Sequence, residues 1–207
     1  MSVDLLKIFN KKLVTSFKDL PLVTKKEDII FGEGTISASI MLIGEAPGAQ
    51  EVIERRPFVG RSGKLLRKVI GEVMLDLSDI YISNIVKARP PENRDPTKAE
   101  IEAYKPFLDE EIEILNPGLI ITLGRLSMNK FLPKVKISEV HGKLHRIEWN
   151  GKVRFILPMY HPAAALRGTK VKNMFINDFA KVKKISEWLD KTNSPKDLEK
   201  NIRKILF

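Results

Sequence analysis

The chain has 207 residues, 43% of them hydrophobic, which suits one globular domain with a sizeable core. With 36 Lys and Arg against 26 Asp and Glu, the net charge is +10, so we expect a polyanionic partner, nucleic acid first and an anionic membrane surface second. The chain has no cysteine, which excludes disulfides, thiolate metal sites, cysteine-held iron–sulfur clusters and cysteine nucleophiles.

Apolar runs alternate with amphipathic stretches along the chain. The apolar runs predict strands at residues 40–43, 80–86 and 119–123, and an Asn150-Gly151 turn predicts a hairpin before residue 157. Periodic apolar residues predict an N-terminal helix and further helices at 63–75, 125–132, 172–189 and 197–207. A capping box at Thr97 and Glu100 predicts the start of another helix, which runs to about Leu115 and contains Pro106. This alternation predicts an α/β domain with a parallel sheet.

Three loops follow predicted strands and contain unusual residues. Gly44 to Gly48 bound a turn in which backbone can approach a ligand, Asn84 ends an apolar run, and His161 lies between Tyr160 and a proline. Because ligands bind at the carboxyl ends of parallel strands, we expect these loops to share one site. The glycine spacings match neither a P-loop nor a dinucleotide fingerprint, which argues against a nucleotide cofactor.

The residues of these loops each have a structural and a functional interpretation. His161 is either a structural histidine or a rigidly oriented functional one. Asn84 either ends its strand or offers an amide to a nucleobase edge. Phe58 is either core or a stacking platform for a base. His141 and His145 lie four residues apart with no third ligand nearby, so we predict no metal site.

Five motifs together resemble a known family. They are GEAPG at 44–48, PFVG at 57–60, SNIVKARPPENRDPT at 83–97, LIITLGR at 119–125 and YHPAAALR at 160–167. In this order they resemble the iron–sulfur type of uracil-DNA glycosylase, called family 4, from about residue 31 to 167. The resemblance implies a three-layer α/β/α sandwich around a short, mainly parallel sheet, and we assign residues 1–207 to a single domain of this fold.

The resemblance also implies roles for individual residues. The first motif would surround the uracil and the attacking water with its main chain, and it comprises Gly44, Glu45, Ala46, Pro47 and Gly48. Glu51 matches an acidic residue beside the pocket, and because Ala46 stands where the best-known uracil glycosylases have an aspartate, Glu51 is the nearest acidic candidate to act on the water. Phe58 matches the ring stacked on the flipped uracil, and Asn84 the amide that reads its Watson–Crick edge. His161 matches the histidine that donates to uracil O2 as the glycosidic bond breaks.

Further residues would contact the DNA. Leu166 and Arg167 would belong to the loop that enters or clamps the duplex, although Leu166 could also be ordinary core. Phosphate contacts are predicted for four residues, each of which could instead be a plain surface residue: Ser62, Lys87, Arg89 and Arg94.

The chain departs from this family at two places. The four cysteines that hold the family's [4Fe-4S] cluster are replaced by Phe17, Leu20, Ala88 and Tyr104. We therefore predict that the protein holds no cluster and no other cofactor, and that an apolar plug fills the volume. Between the first two motifs, Val52, Arg55 and Arg56 also differ from the family, which predicts an altered loop and altered DNA contacts.

Two functions remain open from the sequence. The first is a monofunctional uracil-DNA glycosylase that flips uracil out of DNA and hydrolyses its N-glycosidic bond; the alternative is a uracil-DNA binding protein or uracil-directed nuclease on the same fold. We expect a monomer in the cytoplasm, associated with the nucleoid. We expect no association with a membrane, because no stretch is apolar over the ~18 residues that a membrane span needs. A sliding clamp could bind the C-terminal apolar residues, although packing on the body fits their spacing better: Ile202, Ile205, Leu206 and Phe207.

Overall fold

The computed structural model describes residues 2–191, with side chains from Leu5 onward. The predicted helix at 197–207 and the proposed clamp-binding residues lie outside the described residues. Within the described part, no helix is both long and apolar enough to cross a membrane.

A five-stranded sheet forms the centre of the molecule. Its strands are β1 (Ile40–Gly44), β2 (Ile80–Asn84), β3 (Leu119–Leu123), β4 (His145–Trp149) and β5 (Lys152–Met159), in the spatial order β2-β1-β3-β5-β4. Every neighbouring pair is parallel except β4 and β5, which form the hairpin predicted at Asn150-Gly151. All residues of β1, β2 and β3 are buried, as expected for parallel strands covered on both faces.

Helices cover both faces of the sheet. Those described are α1 (Ser2–Thr15), α2 (Ala49–Glu54), α3 (Arg61–Glu72), α4 (Lys98–Leu115), α5 (Arg125–Asn129), α6 (Ile137–Val140), α7 (Pro162–Ala165), α8 (Thr169–Phe179) and α9 (Val182–Lys191). Apolar residues of α3, α8 and α9 pack with Ile40 and Leu42 on one face. Residues of α1 and α4 pack with Met41 and Ile43 on the other. The predicted three-layer α/β/α sandwich with a mainly parallel sheet is therefore confirmed.

Local signals placed β3 and both ends of α4 correctly, whereas β2, α3 and α5 end two or three residues earlier than predicted. The capping box forms as predicted, with the Thr97 side chain accepting from the Glu100 amide and the Glu100 carboxylate accepting from the Thr97 amide. The single helix predicted at 172–189 is wrong: α8 ends at Phe179 and α9 begins at Val182, and both residues are buried in the same apolar cluster. The short helix α2 lies in what the sequence suggested was irregular loop.

Strand register brings the three predicted loops to one edge. Gly44 at the end of β1 pairs with Asn84 at the end of β2, and β5 delivers the chain to His161 on the same side because it runs parallel to β3. The site is therefore positioned by the carboxyl ends of three parallel strands.

Candidate active site

A cavity of about 620 Å³ opens at the carboxyl edge of the sheet. This volume lies within the range usual for small-molecule sites. Most of the residues predicted for the site line it: Glu45, Ala46, Pro47, Gly48, Glu51, Phe58, Ser62, Asn84, Arg94, His161, Leu166 and Arg167. The loops after β1, β2 and β5 therefore share one cavity, as their positions after strands predicted.

Asn84 is the best-placed polar group at the bottom of the cavity. Its side chain is only 3% exposed, and its Oδ1 is one of the few buried polar atoms among residues 5–191 that accept no hydrogen bond. Burial of an unsatisfied amide oxygen is costly, so this acceptor favours a ligand that donates to it. Gly44 is required beside it, because a Cβ there would overlap both Asn84 Oδ1 and the Phe58 ring.

Phe58 forms one wall of the cavity. Its backbone is left-handed, with φ of +53°, a conformation that non-glycine residues adopt at a cost of about 1–2 kcal/mol. Gly63 at the start of α3 makes this possible, because a side chain there would overlap the Phe58 backbone. The Phe58 ring lies 6.0 Å from the His161 ring between centroids. A planar ligand bound against Phe58 would therefore lie within reach of the imidazole.

The hydrogen bonding of His161 determines which ring nitrogen carries the proton. His161 precedes α7, and its Nδ1 accepts from the Ala163 amide at 3.1 Å. Burial, reinforced by Arg167, lowers the pKa of His161 to about 4. The imidazole is therefore neutral near pH 7, and because Nδ1 is an acceptor, Nε2 carries the hydrogen. His161 can donate one hydrogen bond without bearing a positive charge.

Glu45 lines the cavity with a carboxyl group whose pKa is raised. Burial raises the pKa of Glu45, and the nearby Asp95 carboxylate raises it further. One of its oxygens, Oε1, accepts from the Leu126 amide at 3.3 Å, which fixes the side chain. A fixed carboxylate with a raised pKa is a suitable acceptor for a proton from water.

Glu51 is also buried at the cavity wall, but its hydrogen bonds link two segments. Its Oε1 accepts from the Val59 amide at 3.1 Å and from the Gly60 amide at 2.9 Å. These bonds tie α2 to the loop that carries Phe58. The carboxylate therefore stabilises the wall of the cavity, and Glu45 is the better candidate for proton transfer.

The predicted DNA-contact residues fall into different environments. Leu166 is 44% exposed at the cavity rim, together with exposed Arg167 and half-buried Ser62. Arg94 also lines the cavity, where its guanidinium binds both carboxylate oxygens of Glu100 at 2.7 and 2.8 Å. Outside the lining, Arg89 donates to Asn93 Oδ1 at 2.9 Å.

The prediction that Lys87 contacts phosphate is wrong. Its side chain is 1% exposed and its Nζ lies 2.5 Å from Glu111 Oε2, with a further bond to Ser83 Oγ. The hydroxyl of Tyr81 donates to the other Glu111 oxygen at 3.0 Å. An ammonium inside the protein needs such a counter-charge. One signal was available, because Glu111 shares the buried face of α4 with apolar residues and therefore required a buried partner.

The four positions that hold cysteine in the resembled family do not fit an iron–sulfur cluster. Leu20, Ala88 and Tyr104 belong to one buried apolar cluster, and Phe17 packs against it. Tyr104 also donates through its hydroxyl to the Pro21 carbonyl at 2.8 Å. The side chains offer no thiolate, and they pack together in a buried apolar cluster. Within the described residues, no three His, Asp or Glu side chains gather in a way that could hold a metal ion.

Four further polar residues line the cavity without having been singled out from the sequence. They are Gln50, Arg61, Asn93 and Asp95. Asp95 forms an ion pair with Arg125 at 3.0 Å, which joins the loops after β2 and β3 at the rim. Gln50 and Arg61 could have been found from the sequence, because they lie close behind the first two motifs.

Comparisons with known proteins agree with this geometry. Residues 31–189 match the family model described as the uracil DNA glycosylase superfamily. The Type-4 uracil-DNA glycosylase of Sulfurisphaera tokodaii is 40% identical over 182 residues, covering 85% of this chain and 83% of the relative. That of Saccharolobus solfataricus is 44% identical over 164 residues, 76% of each chain, and that of Archaeoglobus fulgidus is 37% identical over 175 residues, 82% of this chain and 87% of the relative. The chain therefore belongs to the uracil-DNA glycosylase superfamily.

Proposed function

We propose that this protein is a DNA-repair hydrolase that removes uracil from DNA and leaves an abasic site. The observation that carries this proposal is the buried Oδ1 of Asn84, which has no hydrogen-bond partner, in a residue that lines the same cavity as Phe58 and the neutral His161. The Type-4 uracil-DNA glycosylases to which the chain is similar support the same activity. Each of these three side chains has a distinct part in the reaction.

Recognition follows from the hydrogen-bonding pattern of the base. Uracil carries a hydrogen on N3 that can donate to Asn84 Oδ1, whereas N3 of cytosine has no hydrogen and would leave that oxygen unsatisfied. Leaving this buried oxygen unsatisfied costs about 1–3 kcal/mol, which is the discrimination expected against cytosine. Stacking on Phe58 contributes about 1–3 kcal/mol. Together they offset the few kcal/mol that extruding the base costs.

The bond that breaks joins C1′ of the deoxyribose to N1 of uracil. Its electron pair leaves with the base, and negative charge accumulates on uracil O2. The Nε2–H of His161 donates to O2, and because the imidazole is neutral it stabilises this charge as a fixed hydrogen-bond donor. One preorganised donor of this type lowers the barrier by about 2.7–4 kcal/mol.

Water then forms the new bond at C1′ and loses a proton. We assign the proton to Glu45, since its carboxylate is fixed by the Leu126 amide and has a raised pKa. General-base assistance of this kind contributes about 10²–10⁴-fold to rate. Ala46, Pro47 and Gly48 line the cavity beside Glu45 and supply the main-chain wall around the base and the water.

DNA binding is supported by the net charge of +10 and by the exposed rim residues Leu166 and Arg167. We propose that Leu166 enters the space that the flipped base leaves and that Ser62, Arg89, Arg94 and Arg167 contact phosphates. The proposed enzyme holds no iron–sulfur cluster, because an apolar plug occupies that volume. We propose that it acts as a monomer and that it associates with the nucleoid in the cytoplasm.

A labelled oligonucleotide with one uracil tests this function. Incubation with the protein should give strand breaks only after alkali, since an abasic product is alkali-labile. Breaks without alkali would indicate a nuclease, and tight binding without product would indicate a binding protein. His161→Ala should slow the single-turnover rate much more than it weakens binding to DNA with a non-hydrolysable 2′-fluoro-deoxyuridine, whereas Asn84→Ala should lower both, because the bound analogue also donates from N3. Equal losses in both for His161→Ala would contradict its role in the transition state, and unchanged binding in Asn84→Ala would contradict its role in recognition.

A further inference from the structure

The loop that carries Phe58 is held by a residue outside the described cavity lining. Arg67 lies two turns into α3, and its guanidinium donates to two consecutive carbonyls of this loop. Its Nε donates to the Phe58 carbonyl at 3.1 Å and its Nη2 to the Pro57 carbonyl at 3.2 Å. The side chain is 26% exposed, so these bonds are only partly open to solvent. Arg67 thus fixes the backbone at the residue whose φ is left-handed.

Arg67 is in turn oriented by Glu33. Its Nη2 donates to Glu33 Oε1 at 3.3 Å, and Arg56 binds both oxygens of the same carboxylate at 2.9 and 2.7 Å. The hydrogen bond from Arg56 is the largest cause of a lowered pKa at Glu33, so Glu33 is ionised near neutral pH. The Glu33 carboxylate therefore accepts hydrogen bonds from two guanidinium groups, those of Arg56 and Arg67, which precede and follow Phe58 in the sequence.

Glu33 is also joined to the sheet. Its amide donates to the Ile82 carbonyl at 2.9 Å, and its carbonyl accepts from the Ile82 amide at 2.7 Å. Ile82 is in β2, two residues before Asn84. A continuous path of hydrogen bonds therefore connects the strand that carries the Asn84 amide to the loop that carries the Phe58 ring.

We propose that Arg67 and Glu33 are positioning residues for uracil recognition. They hold the backbone of Phe58 so that a base stacked on its ring can also hydrogen-bond to the Asn84 amide. This inference rests on the proposed function, because it assigns the network to the stacking of a flipped base. Arg56, in the segment where the chain departs from its family, completes the network from the solvent side. Neither Arg67 nor Glu33 needs to touch the DNA to act in this way.

A double-mutant cycle tests the coupling. Arg67→Met keeps the length of the side chain but removes its donors, and Glu33→Gln keeps the shape but removes the charge. Hydrogen bonds from charged groups justify an expected loss of about tenfold to a hundredfold in affinity for 2′-fluoro-deoxyuridine DNA and in single-turnover rate for Arg67→Met, and a smaller loss of both for Glu33→Gln. In a Phe58→Ala background the same substitution should change either quantity by less than about twofold, because coupled residues are non-additive.

Lys68→Met is the matched control. Lys68 is the next residue of α3, its side chain is 71% exposed, and it pairs with Glu72 on the surface. This variant should bind and cleave like the wild type. An equal loss from Arg67→Met in the wild-type and Phe58→Ala backgrounds would show a general structural role and overturn the inference. So would full activity in Arg67→Met.

Amide hydrogen exchange separates this inference from the proposed function, since it needs neither DNA nor catalysis. Without DNA, exchange at Val59 and Gly60 should be at least about tenfold faster in Arg67→Met than in Lys68→Met, because the loop loses one of its two anchors. Unchanged exchange would refute the positioning role even if the enzyme is active. Faster exchange in a protein that releases no uracil would instead refute the proposed function and retain the network.

Discussion

The protonation of His161 allows a sharp test of the mechanism. An ordinary histidine has a pKa of about 6.5, whereas burial lowers that of His161 to about 4. At pH 5.5 these values correspond to about 97% neutral imidazole for His161 and about 9% for an ordinary histidine. A neutral donor at uracil O2 therefore persists well below neutral pH.

The rate should consequently show no loss from His161 between pH 7.5 and pH 5.5. The charged groups that act on the imidazole are Arg167, which lowers its pKa, and Glu51 and Asp95, which raise it. The single-turnover rate on a uracil oligonucleotide measures the effect on the reaction. The chain has three histidines, so ¹⁵N NMR of the ring nitrogens, assigned with His141→Gln and His145→Gln variants, measures the titration directly.

Two results would refute this reasoning. One is a His161 resonance that titrates near 6.5, and the other is an approximately tenfold loss of rate at pH 5.5 that disappears in His161→Gln. A loss that disappears in Glu45→Gln instead would belong to the carboxylate, whose raised pKa places its protonation in a higher pH range than usual.

The lowered pKa of His161 also makes the free energy of unfolding depend on pH. The contribution of the neutral imidazole to stability is full above about pH 6.5, and it is lost as the pH falls towards about 4, because the unfolded chain binds the proton first.

Three further substitutions test other parts of the structure. Glu45→Gln should slow uracil release by about 10²-fold or more at nearly unchanged DNA affinity, because it removes the proposed proton acceptor, as a single-turnover assay would measure. Lys87→Met should lower the free energy of unfolding by about 3–5 kcal/mol in urea, because it leaves the Glu111 carboxylate buried without a counter-charge. Leu20→Ala should cost about 2–5 kcal/mol in the same assay, because it opens a cavity in the apolar plug.

The controls for these three predictions are specific. An unchanged rate in Glu45→Gln would remove Glu45 from the mechanism. Lys87→Met combined with Glu111→Leu should recover most of the lost stability. A reduced salt dependence of DNA binding in Lys87→Met would instead show that Lys87 does contact a phosphate. Leu5→Ala, at a side chain that is 49% exposed, should change stability little compared with Leu20→Ala. Similar losses for the two leucines would contradict a packed plug.

The strands and the site loops could be predicted because their signals are local. A continuous apolar run at 119–123 has few alternatives to a buried strand, and Asn150-Gly151 suits the positive φ angles of a hairpin turn. The parallel arrangement then places the ends of β1, β2 and β5 together, which is why the cavity could be anticipated. The break between α8 and α9 could not, because amphipathic periodicity continues across it.

The sequence by itself determined the order of the five strands, the capping of α4, the close approach at Gly44 and the family to which the motifs belong, but not the short helices α2, α6 and α7 or the break between α8 and α9. Only the tertiary structure decided that Lys87 points inward to Glu111, that Ala163 sets the tautomer of His161, and that Arg67 and Glu33 support the Phe58 loop. The physical reason is that a charge or a proton takes its state from partners that folding brings close. Glu111 lies 24 residues beyond Lys87 and Glu33 lies 34 before Arg67, and no local pattern encodes either contact.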